Sequence, residues 1–191
     1  MTTIKCVVVG DSDVGKTCLI MTQANGTFPA SPPRVVDGYA MTVFVGDTPY
    51  SLGFWDTASP EEYDPLRHLM YPQSDVFLFS FDVTNAASLG NIENKWYPEI
   101  SHHCPSVPFI LVGTKSDLRA GKGQKVPRDV KLVSCSKGED LARRLGAVAY
   151  MECSALRQEG VAQLFEEAVR VATQPGLQEP KRRCSRICTI L

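Results

Sequence analysis

Short apolar runs and longer amphipathic stretches follow one another along most of this chain. A continuous apolar run is typical of a strand that is covered on both faces of a parallel sheet. The runs VFLFSF and FILV have this form, whereas the last run is weaker. Two further runs flank Gly46-Asp47, which indicates an antiparallel hairpin. The pattern therefore predicts six strands, at 4–9, 39–45, 50–55, 76–81, 109–112 and 148–153.

Amphipathic stretches between these runs predict helices. In the last of them, apolar residues recur at helical spacing from Val161 to Ala172, which indicates a surface that faces the core. Strands that alternate with helices indicate an α/β protein with a six-stranded, mostly parallel sheet, one antiparallel edge strand and helices on both faces. One predicted helix begins after residue 17. Four more are predicted over 61–70, 87–102, 137–145 and 159–173.

Length and composition are those of one globular domain with a short tail. The 191 residues are 43% hydrophobic and 21% charged, and the formal net charge is −1. We expect one domain over 1–173 and a flexible basic tail over 174–191. The sequence predicts no secretory signal and no membrane span, so the seven cysteines are expected to be reduced cytosolic thiols. Neighbouring side chains point in different directions, which argues against a metal site at His102, His103 and Cys104.

The most informative motif directly follows the first strand, where residues 10–17 read GDSDVGKT. Gly10 and Gly15 let the backbone fold tightly and turn its N–H groups onto phosphate oxygens. Lys16 would reach the β- and γ-phosphates, and the Thr17 hydroxyl would ligate Mg²⁺. The alternative, a plain glycine turn, is disfavoured by the strand before it and the helix after it. We expect the rest of this phosphate-binding loop to contact the nucleotide as well, namely Asp11, Ser12, Asp13, Val14 and Cys18.

Two later motifs indicate which base is bound. Residues 113–117 read GTKSD after the FILV strand, and the Asp117 carboxylate could accept hydrogen bonds from N1 and the 2-amino group of guanine. The Lys115 stem could pack along the base. The alternative is a polar loop with a Lys–Asp pair. Residues 153–156 read CSAL after the last strand, and their N–H groups could approach the guanine O6. Phe28 is a further candidate to pack against the base edge, with core packing as the alternative for this residue. The predicted base pocket also includes Thr114, Leu118, Ser154, Ala155 and Leu156.

With these motifs in this order, the chain resembles a small GTPase of the Ras superfamily, and within it the Rac-like branch of the Rho family. The segments that carry the resemblance include IKCVVVGD, FWDTA, YPQSDVFLFSFDV, KWYPEI, HHCP, LVGTKSDLR and ECSAL. The resemblance implies a GTP/GDP switch that requires Mg²⁺, with Thr17 and Asp56 as metal ligands and the Ser59 N–H at the γ-phosphate. It also implies effector proteins, exchange factors and a prenyl-binding chaperone as partners, and no nucleic acid.

The sequence departs from the family at positions that matter for hydrolysis. Ser12-Asp13 replace the usual Gly-Ala pair, so a side chain stands where a helper arginine must approach, and a negative charge lies beside the phosphates. Arg34 replaces the threonine of switch I that ligates Mg²⁺, and an arginine cannot ligate a metal. Ser31 lies too far along a proline-containing segment to substitute. Arg34 has three open interpretations: a solvated side chain, a partner of Asp13, or a catalytic arginine finger.

Switch II departs as well, because Ser59-Pro60 replace the family's Gly-Gln pair. Proline has no amide side chain and no N–H, so Pro60 cannot orient the attacking water. The residue before a proline is restricted to extended conformations, which constrains Ser59. Glu61 or Glu62 could act as a substitute base, although both match ordinary surface positions.

The C-terminal residues predict membrane anchoring. Residues 188–191 read CTIL, a prenylation box at Cys188 whose terminal leucine favours geranylgeranyl. One lipid chain binds membranes only marginally, so a second signal is expected. The basic residues of the tail supply this second signal. Cys184 could instead be palmitoylated, with an unmodified free thiol as the alternative. We expect the protein to lie at the cytoplasmic face of membranes, in particular the plasma membrane, and to have a cytosolic pool. The basic residues that would contact anionic lipid are Lys181, Arg182, Arg183 and Arg186.

Three functions stay open at this point. The first is a guanine-nucleotide-binding signalling protein with impaired hydrolysis, the second a slow but genuine GTP hydrolase, and the third a non-switching adaptor. Ser12 and Pro60 argue against the hydrolase. Switch I keeps family effector positions at Asp37 and Tyr39, while Val36 replaces an aromatic residue there. An empty pocket is disfavoured by Lys16, Thr17, Asp56 and Asp117.

Overall fold

The computed structural model describes residues 1–32, 39–56, 67–119 and 132–174. Six strands lie in this part of the chain: β1 (Thr2–Val9), β2 (Tyr39–Val45), β3 (Thr48–Asp56), β4 (Val76–Asp82), β5 (Phe109–Thr114) and β6 (Ala149–Glu152). They form one sheet in the order β2-β3-β1-β4-β5-β6. The only antiparallel pair among them is β2–β3 at one edge, and the other strands run parallel. The predicted α/β fold with its antiparallel edge strand is confirmed.

Every residue of β4 and of β5 is buried, as the continuous apolar sequences of these two strands predict. Alternate side chains of these strands point into two separate cores, one on each face of the sheet. One core contains Phe54 and Phe165, whose rings meet edge to face at 4.8 Å. The other contains Phe79 and Phe109, whose rings meet in the same way at 4.7 Å.

Helices cover both faces of the sheet. In the described residues they are α1 (Lys16–Asn25), α2 (Ala86–Asn91), α3 (Tyr97–His103), α4 (Cys135–Leu145) and α5 (Val161–Thr173). The helix predicted over 61–70 is described only from residue 67, where a short 3-10 helix (His68–Met70) is present, and 57–66 lie outside the described residues. No described helix is long and apolar enough to cross a bilayer. The cysteines within the described part all carry free thiols.

The single helix predicted over 87–102 is interrupted. A π-helical segment (Ile92–Trp96) joins α2 to α3, and the Tyr97 N–H donates to the Ile92 carbonyl, five residues back. The next residue, Pro98, has no N–H and its ring would crowd a carbonyl one turn earlier, so the wider turn accommodates it. The consequence is a local change of register, which matters because Asn91 and Trp96 both reach the phosphate-binding loop.

Candidate functional site

The phosphate-binding loop lies at the carboxyl end of β1 and runs into α1. Gly10 and Gly15 have φ values of 148° and 99°, a region that favours glycine. A Cβ atom at Gly10 would overlap the Ser80 carbonyl, so the backbone approaches β4 too closely for any other residue. Asp13 also has a positive φ, of 61°, which aspartate tolerates better than most residues. The side chains of Ser12 and Asp13 are both exposed on this loop.

The Lys16 ammonium group lies inside this loop. The residue is only 2% exposed, and its Nζ donates to the carbonyl oxygens of Gly10 at 2.9 Å and Asp11 at 2.6 Å. Burial lowers the pKa of Lys16 from its ordinary value to about 8, although the carboxylates of Asp56, Asp11 and Asp13 oppose that shift. Backbone carbonyls carry no full negative charge, so this buried cation is suited to an anionic ligand.

The first turn of α1 and the end of β3 bring two oxygen ligands together. The Thr17 hydroxyl donates to Asp56 Oδ2 at 2.5 Å, and Asp56 is buried. Hydroxyl and carboxylate oxygens are the donors that Mg²⁺ prefers, and the cation usually keeps several waters beside such a pair. The donor set of Thr17 and Asp56 therefore fits Mg²⁺, and the glycine-lined loop with Lys16 fits a phosphate chain. Next to Thr17, Cys18 is half-buried, and burial raises the pKa of its thiol.

The predicted base-recognition motif lies at the carboxyl end of β5. The buried Thr114 hydroxyl is within hydrogen-bond distance of two carbonyl oxygens, those of Phe81 at 2.9 Å and Val14 at 2.5 Å. This residue therefore ties the strand end to the phosphate-binding loop. Asp117 is 4% exposed, and its Oδ1 accepts a hydrogen bond from the Ser154 hydroxyl at 2.6 Å. The carboxylate is thus held in one orientation by a group from the segment after β6.

The segment after β6 uses part of its backbone for its own structure. The N–H of Cys153 donates to Gly113 and that of Ser154 to Glu159, so neither can point to a base. Among the described residues, the N–H groups of Ala155 and Leu156 make no such bond. Leu118 and Ala155 are half-buried, while Leu156 and Phe28 are exposed by 53% and 40%. Packing within the core therefore does not explain Phe28.

Lys115 has a contact beyond the predicted packing of its stem along the base. Its backbone is left-handed, with φ of 58°, and its Nζ donates to the Asp13 carbonyl and to Asp82 Oδ2, both at 2.7 Å. The ammonium group therefore lies over the phosphate-binding loop. Asp82, the last residue of β4, was missed because a lone aspartate at a strand end gives no sequence signal.

A second contact set that the sequence analysis missed is centred on Asp11. Its carboxylate accepts from Asn91 Nδ2 at 2.7 Å and from Trp96 Nε1 at 2.8 Å. The Arg67 guanidinium lies over the Trp96 ring at 4.6 Å and bonds both oxygens of Glu99, at 3.1 and 2.8 Å. These contacts join the phosphate-binding loop to the residues that follow switch II.

Several predicted site residues lie outside the described residues. Their roles stay predictions, and they are Arg34, Val36 and Asp37 in switch I, Ser59, Pro60, Glu61 and Glu62 in switch II, and Lys181, Arg182, Arg183, Cys184, Arg186 and Cys188 in the tail. The three histidines of the chain lie near one another, with the ring centroids of His68 and His103 separated by 5.7 Å. In the described part of the chain, however, no three His, Cys, Asp or Glu side chains gather as metal ligands would.

Comparison with protein families gives a match over most of the chain. The model of the Ras family matches residues 5–174. This range begins in β1 and ends just after α5, so it includes the phosphate-binding loop, the Thr17–Asp56 pair and the Asp117–Ser154 pair.

Proposed function

The chain belongs to the Ras family of small GTP-binding proteins, and within that family we propose that it is a membrane-anchored signalling protein of the Rho type with impaired GTP hydrolysis. The observation that carries the nucleotide assignment is the buried Asp117 carboxylate, which Ser154 orients at the strand end beside the phosphate-binding loop. A carboxylate there can accept from N1 and the 2-amino group of guanine, whereas adenine offers no matching pair of donors.

Each end of the nucleotide has its own set of residues in this proposal. The loop N–H groups and Lys16 bind the phosphates, and Thr17 and Asp56 hold Mg²⁺, which neutralises phosphate charge when bound. Thr114 joins the two ends of the site through the Val14 carbonyl. Phe28, Leu118, Ala155 and Leu156 would line the base pocket. The exposure of Phe28 and Leu156 is consistent with side chains that a ligand covers.

Impaired hydrolysis is proposed from residue identity. Pro60 provides no amide to orient a water, and Arg34 provides no oxygen for the metal. Ser12 is exposed at the loop, where its side chain would meet an approaching arginine. Asp13 is exposed beside it and adds a negative charge near the phosphates, which should weaken nucleotide binding and speed exchange. We propose that signalling depends on abundance, exchange or localisation instead of a hydrolysis timer.

The Rho-type assignment and the anchoring rest on sequence segments. The segments KWYPEI and HHCP resemble the Rho family, and CTIL is a prenylation box. Effectors would bind through the two switch segments, while exchange factors and a prenyl-binding chaperone would regulate exchange and membrane release. The basic tail would contact an anionic leaflet at the cytoplasmic face of the plasma membrane.

Competition binding tests the nucleotide assignment. We expect GDP and GTP to displace a fluorescent GDP analogue from the purified protein, and ATP to displace it far less. Asp117→Ala should abolish this preference because the acceptor for the two guanine donors is gone. Asp140→Asn, at an exposed position on α4, is the control that should retain it. Equal displacement by ATP from the native protein would contradict the proposal.

A further inference from the structure

One lysine side chain bridges three separate parts of the nucleotide site. Lys115 follows β5, and its ammonium group contacts the Asp13 carbonyl in the phosphate-binding loop and the Asp82 carboxylate at the end of β4. Both donor–acceptor distances are 2.7 Å. The Lys115 stem also passes over Gly15, since a Cβ atom at Gly15 would lie 3.8 Å from Lys115 Cε.

Contacts other than that with Lys115 hold the Asp82 carboxylate in place. Its Oδ1 accepts from the backbone N–H and from the hydroxyl of Thr84, each at 2.7 Å, which leaves Oδ2 for Lys115. The Asp82 N–H is bonded to the Ser88 hydroxyl at 3.0 Å. The side chain is 11% exposed, so solvent screens the pair with Lys115 only in part. Asp82 is therefore a rigid acceptor in a defined position.

We propose that Asp82 is a positioning residue for nucleotide retention, an inference that rests on the proposed guanine-nucleotide site. Asp82 holds the Lys115 ammonium across the phosphate-binding loop at Asp13. We name the contact between Asp82, Lys115 and the Asp13 carbonyl the clasp. The clasp joins the strand end that carries Asp117 to the loop that carries Lys16, so the base end and the phosphate end of the site move together. Opening of the site for nucleotide release requires the clasp to break.

The charge of Asp82 has two opposite effects on an anionic ligand. It repels the phosphates directly, and it orders a cation that closes the site. Lys115 neutralises the carboxylate at 2.7 Å, so the repulsion is weak beyond the pair. Without Asp82, the Lys115 ammonium group keeps only the Asp13 carbonyl as an acceptor, and its side chain is no longer held in one rotamer. Ordering the side chain again each time the site closes then costs conformational entropy. The clasp therefore dominates, and removal of the Asp82 charge speeds release.

The dissociation rate of a fluorescent GDP analogue tests this inference. Asp82→Asn keeps an oxygen to accept from Thr84 and removes the charge, and we expect it to speed dissociation by roughly three- to tenfold, as for a partly exposed ion pair. Asp82→Glu keeps the negative charge, so release from this variant should be nearly as slow as from the native protein. A purely structural role of Asp82 would not predict this difference between the two variants. Asp140→Asn breaks an exposed ion pair on α4 and should leave the rate unchanged.

Lys115→Met identifies the partner through which Asp82 acts. In the Lys115→Met background, Asp82→Asn should add no further acceleration, because both changes open the same clasp. If Asp82→Asn does not fold, Asp82→Ser removes the charge and leaves a hydroxyl to accept from Thr84. Unchanged or slower release in the folded variant, or full additivity with Lys115→Met, would overturn the clasp. Failure of the native protein to prefer guanine nucleotides would instead contradict the proposed function.

Discussion

Phosphate binding should depend on Lys16 more than on any other residue. Because burial lowers its pKa to about 8, the nucleotide-free protein loses the charge of this side chain progressively as the pH rises through that value. Bound phosphates favour the charged form and raise the pKa, so binding takes up a proton. Nucleotide affinity should be nearly constant below about pH 7 and fall more and more steeply as the pH rises through about 8.

Calorimetry in two buffers of different ionisation enthalpy measures the proton uptake directly. We expect uptake to grow from near zero at pH 7 to about half a proton at pH 8, where Lys16 is half ionised in the free protein. The same lowered pKa has a consequence for folding: since the unfolded chain keeps the proton up to the ordinary value of 10.5, the free protein gains stability as the pH rises above about 8. Binding without proton uptake at pH 8 would refute this account of Lys16.

The sequence alone places the residues of a local motif in a candidate site, but it does not reveal contacts between residues that lie far apart in the chain. Lys16 and Thr17 belong to a loop whose spacing alone indicates phosphate chemistry. The partners of Asp11 lie 80 and 85 residues away, at Asn91 and Trp96, and Asp82 contacts a lysine 33 residues away. No pattern in a single sequence connects such pairs, because only the packing of the sheet brings them together.

At the scale of elements, the close packing of α4 on β6 offers a sharp test. Gly138 is buried in α4 beneath the Tyr150 ring, and a Cβ atom there would overlap that ring. We expect Gly138→Ala to lower the free energy of unfolding by about 1–3 kcal/mol, since the helix must shift away from the strand. Chemical denaturation monitored by circular dichroism measures the change.

Gly90 in α2 provides the matched control. The nearest atom to a Cβ placed there is Asn94 Nδ2 at 4.0 Å, an ordinary contact. Alanine is the better helix former, so Gly90→Ala should raise the free energy of unfolding by about 0.5–1 kcal/mol or leave it unchanged. The same substitution should therefore destabilise the protein in α4 and not in α2. Equal destabilisation by both changes would contradict the described packing of α4.

Strands were predicted more accurately than helices. The run at 39–45 coincides with β2, and no end of the other strands differs from its predicted position by more than two residues. Continuous apolar runs bounded by polar residues give this signal. The π-helical segment within 87–102 was missed because helical periodicity does not reveal a change of turn width. Only the position of Pro98 could have indicated it.

At the scale of the whole molecule, membrane association should depend on the tail. Cys188→Ser removes the prenylation site, so we expect the protein to move from the membrane fraction to the soluble fraction of cells. Charge reversal at Lys181, Arg182 and Arg183 should instead weaken association with anionic vesicles, and this effect should diminish as salt is raised. Unchanged membrane fractionation of Cys188→Ser would exclude the lipid anchor.

The residues that we propose to impair hydrolysis are expected to act as a unit. Loss of one water-positioning or charge-stabilising group typically lowers a hydrolysis rate by a factor on the order of 10² or more, and the losses at Ser12, Arg34 and Pro60 act on one transition state. Such losses do not multiply, so Pro60→Gln alone should recover little. The combination of Ser12→Gly, Arg34→Thr, Ser59→Gly and Pro60→Gln should restore a response to an activating protein.

Phosphate release from protein preloaded with GTP, in a single turnover with and without a Rho-type activating protein, tests the central claim most directly. We predict a slow rate that the activating protein does not change, because Pro60 cannot orient water and Ser12 obstructs a helper arginine. A native rate comparable to that of an ordinary family member, or a strong response to the activating protein, would contradict impaired hydrolysis. That result would identify the protein as a genuine GTP hydrolase, with Arg34 and Glu61 as the first residues to mutate.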